Sequence, residues 1–262
     1  MKPFEALIAE AEAWEMQGWD FSSLGKRWTE GRPPWDYRAK VRTLMREANC
    51  MLDMGTGGGE FLYDIRPLPP HTYATEGYPP NVPISKSRLS SLGVEVIQTF
   101  SEDNAKTPQY GGLPFKTGYF DLVINRHESF IASEVHRVLK PSGRFLSQQV
   151  GSENLAELNE LLGAEPPSTG TWDLEVAIRQ LKASGFRIEE GREASIESEF
   201  RDIGAVVCCL KAIPWQIPGF TVSEYLNELR RLDERMRARG GLKVSATRFL
   251  IRGSKEGQES NT

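Results

Sequence analysis

The segment MLDMGTGGGEFLYDI, residues 51–65, sets four glycines (55, 57, 58 and 59) into five positions between two apolar stretches. An apolar run that ends at an acid reads as a buried strand, and the Phe-Leu-Tyr-Asp-Ile that follows reads as the start of a helix. Glycine accepts positive φ at little steric cost and carries no side chain to hold a ligand off the backbone. The segment therefore predicts a strand, a tight turn and a helix, with the turn open to close approach. In an open α/β sheet such a turn lies beyond the carboxyl ends of the strands, where ligands bind.

The chain around it alternates as that architecture requires. Residues 50–54, 72–76, 94–100, 119–125 and 144–150 read as strands. Between the last two, Ile131, Val135, Val138 and Leu139 share one helical face over residues 128–143, with Pro141 and Gly143 as stop signals. This predicts an α/β fold with a doubly wound, mainly parallel, Rossmann-like sheet and helices on both faces. Ahead of it, residues 3–16 are periodic as an amphipathic helix, followed by an aromatic loop and a short helix over 36–47. Behind it come a helix closed by Gly185, a strand over 187–200 and a last strand over 245–255. About forty residues are inserted between these two strands. The insertion holds a helix over 202–212, a loop, and a second helix opened by Thr221 and Glu224 at capping-box spacing. The expected division is an N-terminal helical and aromatic cap (1–47), a main domain (48–253, with a helical insertion at 200–240) and a tail (254–262).

Composition narrows the chemistry. With a net charge of -4 the chain has no general attraction for a polyanion. Its three cysteines, Cys50, Cys208 and Cys209, form no CxxC pair, which disfavours a zinc site or a disulfide framework. Glu5, Glu10 and Glu12 interrupt the start, unlike a signal peptide, and the longest apolar run, 203–210, is far short of a bilayer span. A soluble cytoplasmic protein without membrane contact or metal is the expectation.

Three glycine-turn chemistries are separable. A phosphate-binding P-loop needs Gly-Lys-Ser/Thr, and here Gly59 is followed by Glu60 and Phe61. A dinucleotide turn starting at Gly55 needs a third glycine where Glu60 stands, and acids at 53 and 60 repel a pyrophosphate. The pattern left, Asp-x-Gly-x-Gly-x-Gly through Asp53, Gly55, Gly57 and Gly59, suits a cationic ligand.

Taken with Glu76 at the end of the second strand, with LPFKTGYFDLVINRHESF (113–130) and with EVHRVLKPSGRFL (134–146), this pattern resembles the class I S-adenosylmethionine-dependent methyltransferases of the methyltransferase-11 kind. The resemblance runs over about residues 48–150. It implies S-adenosylmethionine as cofactor. Asp53, Gly55, Thr56, Gly57, Gly59 and Glu60 would hold its methionine end. Glu76, 76 − 59 = 17 positions after Gly59 and next to Gly77, would accept from both ribose hydroxyls. Either Glu102 or Asp103 would accept from the adenine amino group. Asn125 and Arg126 would contact the cofactor or an acidic acceptor.

Because the sulfonium already activates the methyl group, the protein mainly aligns the reactants, and a base is needed only for a protonated acceptor. His127 is the candidate base, with a structural loop histidine as the alternative. Gln148, Gln149, Trp35 and Trp215 are candidate substrate contacts, and Trp28 and Tyr37 add to the aromatic surfaces of the expected lids. The expected activity is in-line methyl transfer to a small-molecule acceptor. RNA is an alternative partner, suggested by arginines over 229–239, although the Asn/Asp-Pro-Pro-Tyr/Phe signature is absent after the fourth strand. A binding protein without transfer activity is a third reading.

Overall fold

The computed structural model of the chain describes residues 2–16, 21–99, 112–166 and 171–256. Its helices are α1 (Phe4–Ala13), α2 (Tyr37–Met45), α3 (Glu60–Ile65), α4 (Asn81–Leu89), α5 (Ala132–Val138), α6 (Ala156–Leu162), α7 (Leu174–Ala183), α8 (Ile203–Ala212) and α9 (Leu226–Arg239). Its strands are β1 (Trp28–Glu30), β2 (Cys50–Met54), β3 (His71–Glu76), β4 (Glu95–Gln98), β5 (Phe120–Arg126), β6 (Leu139–Val150), β7 (Phe186–Phe200) and β8 (Leu242–Lys255). The strands hydrogen-bond in the order β1-β7-β8-β6-β5-β2-β3-β4. Pairing is parallel for β2 with β3 and β5, β3 with β4, and β5 with β6, and antiparallel for β1 with β7. This is the Rossmann-like mixed sheet that the alternation predicts.

β2 is the switch point. The chain leaves it towards β3 on one side and later returns as β5 on the other. All five of its residues are buried, so it carries Asp53 into the interior and releases the glycine turn at its carboxyl end.

Two compact units share the chain. One comprises residues 35–149, 173–193 and 249–262, and holds β2 to β5 with α2 to α5 and α7. α2 and α7 begin with aspartate caps: Asp36 accepts from the Ala39 amide at 2.9 Å and Asp173 from the Val176 amide at 2.8 Å.

The other unit comprises residues 1–34, 150–172 and 194–248. Its core gathers Leu7, Leu158, Phe200, Val206, Leu229 and Leu232, so the N-terminal helix and the late helices share one apolar interior. Lys211 on α8 donates to the carbonyls of Ala11, Glu12 and Trp14 at 2.7, 2.7 and 2.9 Å, closing the C-terminus of α1. Asp202 caps α8 through the Ala205 amide at 3.0 Å and grips Arg27 through two hydrogen bonds of 2.7 Å. Burial raises the Asp202 proton affinity, but Arg27 and the capping amides outweigh it and hold the carboxyl below its ordinary value. Asp202→Ala is expected to cost about 2 kcal/mol, one helix cap plus a part-buried charged pair. Urea unfolding checks this.

Three local expectations change. α5 ends at Val138, and the residues read as its stop lie inside β6, where pairing jumps from Phe120↔Leu139 to Leu122↔Arg144. Ser142 there has φ +64°, and a Cβ on Gly143 would come within 2.8 Å of the Lys140 carbonyl oxygen. Pro141 and Gly143 thus shape a bulge rather than a cap. β1 falls within the expected aromatic loop, because three residues give too short a pattern to read. Thr221 accepts from the Glu224 amide at 3.3 Å as expected, but it closes a turn, and α9 starts only at Leu226.

Candidate cofactor and acceptor site

The glycine turn has left-handed backbone at alternate positions: Gly55 φ +66°, Gly57 φ +61° and Gly59 φ +83°. A side chain at any of these would be strained whatever the space. Space is also short at the two ends. A Cβ on Gly55 would overlap the Glu128 side chain, and one on Gly59 would lie 2.9 Å from Leu89. Backbone bonds from Thr56 N to the Thr75 carbonyl (2.9 Å) and from Gly59 N to the Thr56 carbonyl (3.0 Å) hold the turn against β3.

Two buried carboxyls flank it. Glu76 is 3% exposed at the end of β3 and accepts from the Gly57 amide at 2.6 Å and the Tyr78 amide at 2.7 Å. Burial raises its proton affinity; the Tyr78, Gly57 and Gly77 amides and the Asn81 side chain pull it back only in part. Asp53 is 4% exposed, and burial pushes its pKa up to about 7, with Thr56 and Arg126 opposing and the charge of Glu76 reinforcing the shift. Nearby Tyr37 is pushed well above the ordinary phenol value, first by burial and then by Asp53.

Several buried polar atoms here meet no partner. They are Thr56 Oγ1, both amide atoms of Asn81, and Asn125 Nδ2. Thr56 and Asn81 lie close enough to favour charge on the carboxyls, yet neither side chain makes a hydrogen bond of good geometry. A buried group left so costs about 1–3 kcal/mol, which a polar ligand against the turn would recover. Two buried carboxyls, a bare turn and unpaired donors and acceptors fit a cationic nucleoside such as S-adenosylmethionine.

The loop after β5 is held by the end of β6 and by residues 35–37. Gln149 Nε2 donates to Asn125 Oδ1 at 2.6 Å, to Ser147 Oγ at 2.7 Å and to the Glu128 carbonyl at 3.0 Å. Tyr37 donates to the Asn125 carbonyl at 3.0 Å, and Trp35 Nε1 donates to Gln148 Oε1 at 2.8 Å. Gln148 Nε2 lies 3.0 Å from His127 Nε2. Arg126 is exposed, with its guanidinium carbon 5.3 Å from the Phe61 ring centre, and it acts on Asp53 through its charge.

The structure thus brings Asp53, Gly55, Thr56, Gly57, Gly59, Glu76, Gly77, Asn125 and Arg126 around one turn. Glu60 opens α3 but is exposed and paired with Arg88, which also donates to the Gly58 carbonyl. Gln148, Gln149 and Trp35 are present at the strand ends, where their polar atoms serve internal partners. Trp215, 44% exposed, belongs to the other unit. Glu102 and Asp103 lie outside the described residues. Among the described residues there is no cluster of potential metal ligands, and no helix long and apolar enough to cross a membrane. Asn81, and Tyr37 as a clamp on the Asn125 carbonyl, carry no motif that the sequence would reveal.

Residues 52–147 match the family described as a methyltransferase domain. No curated protein matches the chain. Among solved structures, a Bacillus halodurans C-125 protein provisionally named a methyltransferase is 18% identical with a TM-score of 0.55, covering 83% of this chain and 99% of that one. The YcgJ protein of Bacillus subtilis is also 18% identical with a TM-score of 0.55, over 84% of this chain and 99% of its own. The [4+2]-cyclase SpnF is 16% identical with a TM-score of 0.50, over 97% and 92%. At these identities the likeness concerns the fold. The matched segment runs from β2 to β6 and so holds the glycine turn and the parallel strands, and the sheet order agrees with the Rossmann-like fold of these neighbours.

Proposed function

We propose that the protein transfers the methyl group of S-adenosylmethionine to a small-molecule acceptor. The observation that carries this reading is the pair of buried carboxyls, Asp53 and Glu76, on either side of a turn with unpaired polar atoms. When bound, S-adenosylmethionine supplies an electrophilic methyl that needs neither a metal nor a covalent intermediate. The residues of the chain bind and orient. An ionised carboxylate has about four acceptor sites; the Gly57 and Tyr78 amides occupy part of them at Glu76, and the remainder would serve a diol. Asp53 favours positive charge next to the turn. Arg126, the last residue of β5, and His127 just after it would meet an acceptor. In this reading the transferase part spans residues 48–253.

The charge pattern supports a small acceptor over RNA. On α9, Arg230 pairs with Glu5 at 3.0 Å, Arg231 with Glu228 at 3.8 Å and Arg237 with Asp233 at 2.6 Å, so much of its positive charge is matched within its own unit. The test is to incubate the full chain with methyl-labelled S-adenosylmethionine and separate small-molecule, RNA and protein fractions of a cell extract. Label in the small-molecule fraction is expected. Label in RNA alone would overturn the acceptor class, and no transfer to any fraction would make the chain a binder.

A further inference from the structure

We infer that Trp35 and Gln148 form a relay that holds His127 neutral, with its proton on Nδ1. The inference rests on the reading of His127 as an acceptor-facing residue only for its consequence; the relay itself follows from donor and acceptor chemistry. An indole N–H donates and never accepts. The atom 2.8 Å from Trp35 Nε1 must therefore be the oxygen of the Gln148 amide, which fixes the orientation of that amide. Its NH2 group then faces His127 Nε2 at 3.0 Å. An NH2 group can only donate, so Nε2 must accept, and a ring nitrogen that accepts carries no proton. The proton of the neutral ring is on Nδ1. Protonating Nε2 would set two donors face to face.

The surroundings leave the relay little freedom. Gln148 is 8% exposed and Trp35 9%, so neither amide nor indole exchanges readily with water. The His127 backbone amide donates to the Gln148 carbonyl at 2.8 Å, joining the two residues by main chain as well. His127 has φ +65°, a left-handed backbone uncommon for a side-chain-bearing residue and one that persists only where neighbours impose it. Trp35 is fixed in turn by its neighbours in sequence: Asp36 caps α2 and Tyr37 donates to the Asn125 carbonyl. Trp35 and Tyr37 thus clamp the ends of β6 and β5, with Asp36 between them fixing the start of α2. Trp35 and Gln148 are positioning residues, and through them His127 keeps Nε2 as a hydrogen-bond acceptor rather than a site of proton uptake.

The test is nitrogen-15 NMR of the histidine rings in the full chain without cofactor, which is independent of methyl transfer; His127→Asn assigns the signal among the three histidines. The expected result is a protonated Nδ1 and an unprotonated Nε2 in the wild-type chain. Gln148→Glu replaces the donor with a carboxylate while leaving an oxygen for Trp35, so it should draw a proton to Nε2 and move the ring's titration up by about one pH unit or more. Trp35→Phe keeps an aromatic ring but frees the amide, and a mixture of ring tautomers is expected. A wild-type ring with its proton on Nε2 would overturn the relay. So would a Gln148→Glu ring unchanged in tautomer and titration.

Discussion

Glu76→Ala is expected to weaken S-adenosylmethionine binding about a hundredfold in calorimetry of the full chain. Two hydrogen bonds from ribose hydroxyls to a charged acceptor account for about 3 kcal/mol. The same truncation leaves the Gly57 and Tyr78 amides without their acceptor and loosens the turn they anchor. Glu76→Gln separates these effects. It keeps one acceptor oxygen and the side-chain length but loses the charge and half the acceptor sites, and should lie between the alanine variant and wild type. Affinity unchanged in both would remove Glu76 from the site.

Affinity should also depend steeply on pH, through Asp53. In the cofactor-free protein its carboxyl titrates near 7 because burial disfavours the charge. A cationic ligand favours the ionised form, so binding below pH 7 must first expel a proton. Affinity is expected to fall about tenfold for each pH unit below 7 and to level off above it. Asp53→Asn has no proton to expel; it should bind more weakly at pH 8 and lose the slope.

The same shift has the opposite consequence for folding. The folded-state pKa, about 7, lies above the ordinary value of 3.8, so between these limits the native chain holds a proton that the unfolded chain has released. The Asp53 contribution to stability therefore declines as pH rises from about 4 to 7. About three powers of ten in proton affinity correspond to about 4 kcal/mol at most. Asp53→Asn should accordingly be more stable than wild type at pH 8 while binding less well. Denaturant curves at pH 5 and pH 8 check the sign.

What the sequence reveals of this site is what lies close together along the chain. Asp53, the three left-handed glycines and Glu76 fall within 24 positions, on two strands that pair directly, and their spacing follows from one turn and one crossover. The relay is different in kind. Trp35 and Gln148 are 113 positions apart, and the pairing depends on where the ends of β5 and β6 fall. Gln148 and Gln149 look from their positions like substrate contacts, since two amides at a strand end face the cleft. Only three dimensions show those amides turned to Trp35, His127 and Asn125. Glu128 reads either as a residue that orients His127 or as the opening of a helix, and the sequence gives no sign that its side chain lies against Gly55, where a side chain at that position would collide with it. Pro141 and Gly143 mislead for a related reason, because a helix stop and a strand bulge use the same residues.

A crystal structure of the chain with S-adenosylhomocysteine tests the central claim most directly. The account predicts both ribose hydroxyls within about 2.5–3.0 Å of the Glu76 carboxylate, with the amino-acid end over the backbone of residues 55–59. A nucleoside bound elsewhere, or one at the turn with its sugar away from Glu76, would contradict it.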